Sequence, residues 1–126
     1  MLFDTLIEES EEIVVLTILL EELSFSLEEG IMQYIYKAEI QTPLKGNLIP
    51  KKEIRLITNR YKFLSGNNGE SILEETNIMP GDEYIAFLMG APVDKDDSLP
   101  NYQLIDRWLG LNKISVYKLH YIQNRK

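Results

Sequence analysis

The chain has 126 residues, of which 44% are hydrophobic, with a net charge of −7, no cysteine and one histidine, His120. That length fits one domain over 1–126, with apolar side chain enough for a core. Disulfides, thiolate metal centres and two-histidine relays are excluded.

The charge is unevenly spread. Residues 1–30 carry nine acids and no base, the remainder eleven acids and thirteen bases, and five bases with no acid follow Asp106. An acidic front and a weakly basic back disfavour nucleic acid as a partner, because that partner demands a dense basic surface. The longest apolar run, 13–20, falls well short of the roughly twenty residues of a bilayer span, so no transmembrane segment is expected. The first residues lack the basic start and small-residue cleavage site of a signal peptide. The expected location is extracytoplasmic or cell-surface if a leader has been trimmed, and cytoplasmic if Met1 is the native start.

In chain order, 4–12 reads as a short helix with Asp4 as N-cap and Leu6 and Ile7 facing inward. Residues 13–25 are β-branched and apolar, a buried strand turning polar at Glu21. A turn at Gly30 leads into 31–42, where Met32, Tyr34, Tyr36, Ala38 and Ile40 alternate with Gln33, Lys37, Glu39 and Gln41. The two segments form a long antiparallel hairpin. Residues 43–52 are a loop punctuated by Pro43, Gly46 and Pro50, and 53–58 is a third strand with Ile54 and Leu56 inward. The segment 65–71 reads as a mobile turn. After the Pro80-Gly81 turn comes a strand at 83–90, then a polar loop at 91–101. A short strand at 102–108 and a last strand at 113–122 complete the chain.

Strand 83–90 is apolar on both sides: Tyr84, Ala86 and Leu88 on one, Ile85, Phe87 and Met89 on the other. Such a strand has a barrel interior on one face and a helix or curled neighbour on the other. The expected fold is therefore all-β: a small antiparallel, OB-like barrel of about five strands with a short N-terminal helix. Its core comprises Ile13, Val15, Tyr34, Tyr36, Ile40, Leu56, Tyr84, Ala86 and Leu88.

Taken together, an acidic helix followed by Ile13-Val14-Val15, the stretches EIQTPLKGN and EIRLIT, and MPGDEYIAFL resemble the tissue-inhibitor-of-metalloproteinase-like, or netrin-like, OB-barrel domains of bacterial surface proteins. The matching positions are Leu44, Lys45 and Gly46, then Gly81, Glu83, Tyr84, Phe87 and Leu88, within roughly residues 4–118. The resemblance implies an OB-like barrel that is exported and has no known chemistry. The inhibitory mechanism of the animal members, an N-terminal cysteine on a catalytic metal, does not carry over to a chain without cysteine.

Candidate chemistry is thin. Asp94, Asp96 and Asp97 share a loop, but it lacks the glycine and terminal glutamate of a calcium loop. Glu74, Glu75, Asp82 and Glu83 offer carboxylate pairs, yet Asp82 and Glu83 are more simply residues of a turn and the strand after it. His120 has no nucleophile motif beside it. Tyr34, Tyr36, Tyr61 and Phe63, with Arg55, Arg60 and Lys62, resemble the aromatic and basic mix with which OB barrels stack bases, but Tyr34 and Tyr36 share the inward face. Gly110 reads as a turn, and Trp108 as a plug over a barrel mouth, with Arg107 at the rim of any partner site.

The sequence thus predicts a non-enzymatic interaction domain of a bacterial exported or cell-surface protein. Its partner would be a protein or a cell-envelope component, with no cofactor, no metal and no catalytic residue. A binder of single-stranded nucleic acid or oligosaccharide and a carboxylate-dependent hydrolase are the alternatives.

Overall fold

A computed structural model describes residues 3–28, 30–61, 78–91, 99–106 and 110–125. Helix α1 spans Phe3–Glu9 and is followed by strands β1 (Glu12–Glu28), β2 (Ile31–Lys45), β3 (Glu53–Tyr61), β4 (Glu83–Gly90), β5 (Asn101–Leu104) and β6 (Leu111–Lys113); helix α2, Val116–Arg125, ends the described chain. Hydrogen bonding links β1, β2, β3, β5 and β4 in sequence, and β4 returns to β1, so five strands form an OB-like ring with β6 added along β4.

Every pairing is antiparallel except β3 with β5, which is parallel. The expected antiparallel, OB-like ring thus includes one like-directed pair, and the reason is parity. Directions can alternate all the way round only in a ring with an even number of strands, so a ring of five must contain a like-directed pair.

Strand β4 separates two cores. Its even side, Tyr84, Ala86 and Leu88, joins Val14, Leu16, Ile18, Tyr36, Ala38, Ile40, Ile54 and Leu56 inside the ring. Its odd side, Ile85 and Phe87, meets Leu6 and Ile7 of α1, Ile13 and Val15 of β1 and Ile122 of α2. Phe3 adds an edge-to-face contact with Phe87 at 5.5 Å. The doubly apolar strand is thus a wall shared by the ring interior and a helical layer, and each fully buried aliphatic side chain contributes about 1.5–3 kcal/mol. Of the expected core, Tyr34 is only half-buried, packed at the margin of the interior cluster.

Several boundaries differ from expectation, three of them with structural consequence. The last strand stops at Lys113, and residues 116–125 are helical. Ser115 caps α2, its Oγ accepting from the Lys118 N–H at 3.1 Å, and Ile122 is wholly buried under it. Helix α1 begins at Phe3, so Asp4 lies inside its first turn rather than at the cap. There Asp4 accepts a hydrogen bond from the Tyr121 hydroxyl and pairs with Arg125 at 3.4 Å, tying the two helices together. Finally, β2 runs on through Pro43 to Lys45. The proline is tolerated because the ladder to β1 shifts register between Ile13 and Val14, and Val14 is its partner.

The positions that carry the family resemblance have structural work. Leu44 is buried beneath α1. Lys45 Nζ donates to the Ile7 and Glu8 carbonyl oxygens at 2.8 and 3.0 Å, capping the C-terminal end of α1. Gly46 sits at φ +100° against the Glu12 carboxylate. That carboxylate, buried at the start of β1, accepts from the Asn47 and Leu48 N–H groups at 2.8 and 3.0 Å.

A candidate interaction surface

The two described helices cover only part of the outside of the ring. They lie over Ile13 and Val15 of β1 and over Ile85 and Phe87 of β4. The distal half of β1, the outer face of β2 ahead of Leu44, and the outer faces of β3 and β5 carry neither described helix in that cluster. Side chains on this outer face follow from register, because directly paired residues project to the same side of a sheet.

One row crosses all five strands of the ring: Leu23 pairs with Ile35, Ile35 with Ile57, Ile57 with Gln103, and Gln103 with Met89. A second row runs from Phe25 to Gln33 to Asn59. On the other side of the first row, Leu20, Lys37 and Arg55 line up. Leu20, Leu23 and Phe25 are exposed by 43%, 52% and 37%, large values for residues of this size in a strand.

Hydrogen bonds and ion pairs fix the polar fringe. Gln33 Nε2 donates to Asn59 Oδ1 at 2.9 Å. Arg55 Nε donates to Glu22 Oε1 at 2.7 Å, and Lys37 lies 3.2 Å from Glu53. Exposed pairs of this kind contribute about 0–1 kcal/mol; their effect here is to hold the cations against their own acids. Where the apolar row meets β5, an open cleft of about 280 Å³ is lined by Ile57, Thr58, Asn59, Met89, Gln103, Leu104 and Ile105. Its walls offer methyl and methylene groups with two amides and one hydroxyl and, among the described residues, no ionisable side chain.

The residues singled out in the sequence are scattered. Arg107 and Trp108 lie outside the described residues, as do Glu74, Glu75, Lys62, Phe63, the segment 65–71 and the aspartates 94, 96 and 97. Asp82 is a turn residue: its Oδ2 accepts from the Met79 N–H and the Tyr84 hydroxyl, both at 3.1 Å. Glu83 accepts from Thr17 Oγ1 at 3.3 Å on the exposed edge of that turn, away from the cleft. His120 is exposed on α2. Tyr36 is buried in the ring and stacks on Tyr34 with centroids 6.2 Å apart. Both rings therefore sit on the inward side of β2, and Phe25 is the aromatic on the outer rows. Among the described residues no group of three His, Cys, Asp or Glu side chains is placed to hold a metal ion, and no helix is long and apolar enough to cross a membrane.

The sequence did hold a signal for the outer face. Ile35 and Ile57 are apolar residues in the phase otherwise taken by Gln33, Lys37, Glu39, Glu53, Arg55 and Asn59, and β1 keeps Leu23 and Phe25 after it has turned acidic. No protein-family model matches the chain, and no curated protein matches its sequence.

Proposed function

We propose that this chain is a non-enzymatic protein-binding domain, and that its binding surface is the outer face of β1, β2 and β3 together with the cleft beside β5. The observation that carries the reading is the row Leu23–Ile35–Ile57–Gln103–Met89, apolar but for Gln103, with Leu23 exposed and Ile35, Ile57 and Met89 half-buried on a strand face that solubility alone would make polar. An apolar stripe rimmed by paired charges and amides has the anatomy of an interface core and its fringe. The cleft supplies hydrogen-bonding groups without an acid or base, which supports recognition rather than acid–base chemistry.

The inward placement of Tyr34 and Tyr36, and the engagement of Arg55 by Glu22, weigh against base stacking and phosphate contact. An exported or cell-surface setting and membership of the netrin-like domains remain part of the proposal, supported by the OB-like ring and the quoted motifs. Calorimetry with extended peptides, an oligonucleotide and an oligosaccharide tests the reading. Binding is expected from peptides alone, and Ile57→Asp should weaken it about tenfold or more with the fold intact, since one buried anchor residue contributes above 1 kcal/mol at an interface. Equal or tighter binding of the oligonucleotide or the oligosaccharide would overturn it.

A further inference from the structure

We infer that the outer edge of β1 at residues 20–25 takes an added strand from a partner, and that this strand is basic and alternately apolar. The inference rests on reading the chain as a protein-binding domain, and names the docking mode.

Strand β1 is 17 residues long, but β4 accompanies it only from Glu12 to Thr17. The turn before β4 adds one further exchange, Ile18 N–H to Asp82 O at 2.9 Å and Gly81 N–H to Ile18 O at 2.7 Å. Beyond Ile18, among the described residues, only β2 pairs with β1. Half of the backbone N–H and C=O groups of a strand point away from its one neighbour, and such an edge templates another strand.

The edge is built against self-association. Its register slips at Leu19 and at Glu22, which increases local twist, and Glu21 and Glu22 place two acids there, in a segment, 1–30, with no base. Two copies pairing edge to edge would bring these acids together. Those devices alone do not account for Leu20, Leu23 and Phe25, which a merely blunted edge would replace with polar residues. A partner strand would set apolar side chains beside Leu23 and Phe25, extending the rows that continue through Ile35 and Gln33, and would set a base near Glu21, Glu22 being already held by Arg55.

The test uses a short synthetic peptide of alternating Val and Lys, its Val/Glu counterpart, and amide hydrogen exchange read residue by residue. With the Val/Lys peptide at about ten times its Kd, outward-pointing amides within 20–25 should exchange roughly tenfold more slowly, and the Val/Glu peptide should give no slowing. Glu21→Lys should weaken the first peptide several-fold and admit the second. Three results would overturn the inference: no slowing at 20–25, equal slowing by both peptides, or strong protection already present in the free protein. Shifts of the Ile35 and Ile57 methyls without edge protection would remove strand addition and leave the protein-binding reading standing. Absence of both would remove both.

Discussion

The smallest unit that explains the fold is the contact between Glu12 and Gly46. A buried carboxylate is costly unless its oxygens are satisfied, and here two backbone N–H groups satisfy one oxygen of Glu12. The approach is possible because Gly46 has no Cβ and adopts φ +100°. Gly46→Ala therefore meets both a clash with Glu12 and a disfavoured backbone, and a loss of about 1–3 kcal/mol in urea unfolding is expected. Gly30→Ala, at φ +81° with open space around it, should cost less, since only the backbone term applies. Leu44-Lys45-Gly46 was legible as a motif in the sequence; that Glu12 is its partner was not, because only the β1–β2 register brings the two together. A second residue-scale expectation concerns Tyr102. Burial first, and the negative charges of Glu12 and Glu11 second, raise its hydroxyl above the ordinary value of 10.0. The unfolded chain would release that proton at the ordinary value. The contribution of the neutral phenol is thus complete below about pH 10 and lost as pH rises through the folded value. A spectrophotometric titration should show the Tyr102 phenol ionising later than the ordinary value, a late component that Tyr102→Phe removes while it flattens the alkaline loss of stability.

At the scale of elements, strand periodicity was the most readable signal. Alternation in β2 and double-sided apolarity in β4 located both strands, and β4 matches its expected bounds at Glu83–Gly90. The C-terminal segment was misread because its β-branched and aromatic residues suit a strand in isolation. What decides otherwise is tertiary: Leu119 and Ile122, three apart, present one helical stripe to the layer that already holds Leu6, Ile7 and Phe87. Ser115 before that stripe was the available cue. Removing the buried end of the stripe tests the assignment. Ile122→Ala should cost about 2–5 kcal/mol, whereas Val116→Ala, at a position 82% exposed, should change stability by less than about 0.5 kcal/mol. Similar losses at both positions would mean that α2 does not dock as described.

At the scale of the molecule, one sheet divides its labour between its two ends. Around β4 and the first half of β1, the outer face is sealed by two helices and the inner face by the ring. Further along, the β1–β2 hairpin outgrows that support and keeps apolar side chains on its outer face. The ring was legible because each strand carries its own period. The outer rows were less so, because the register slips in β1 decide which residues stand side by side: an uncorrected count from Ile18 opposite Ala38 would turn Leu20 inward and set Leu23 against Gln33 instead of Ile35. The expected partner contacts at 107 and 108 lie outside the described residues, so the surface argued from the structure is a different one. Its most direct test is a methyl NMR titration with extended apolar peptides. The account predicts shifts concentrated at Leu23, Ile35, Ile57 and Met89, with Ile54, Leu56, Ile85 and Leu88 unmoved. Shifts centred instead on Ile114 and Val116 at the start of α2, or an unresponsive outer row with an oligonucleotide producing the changes, would contradict it.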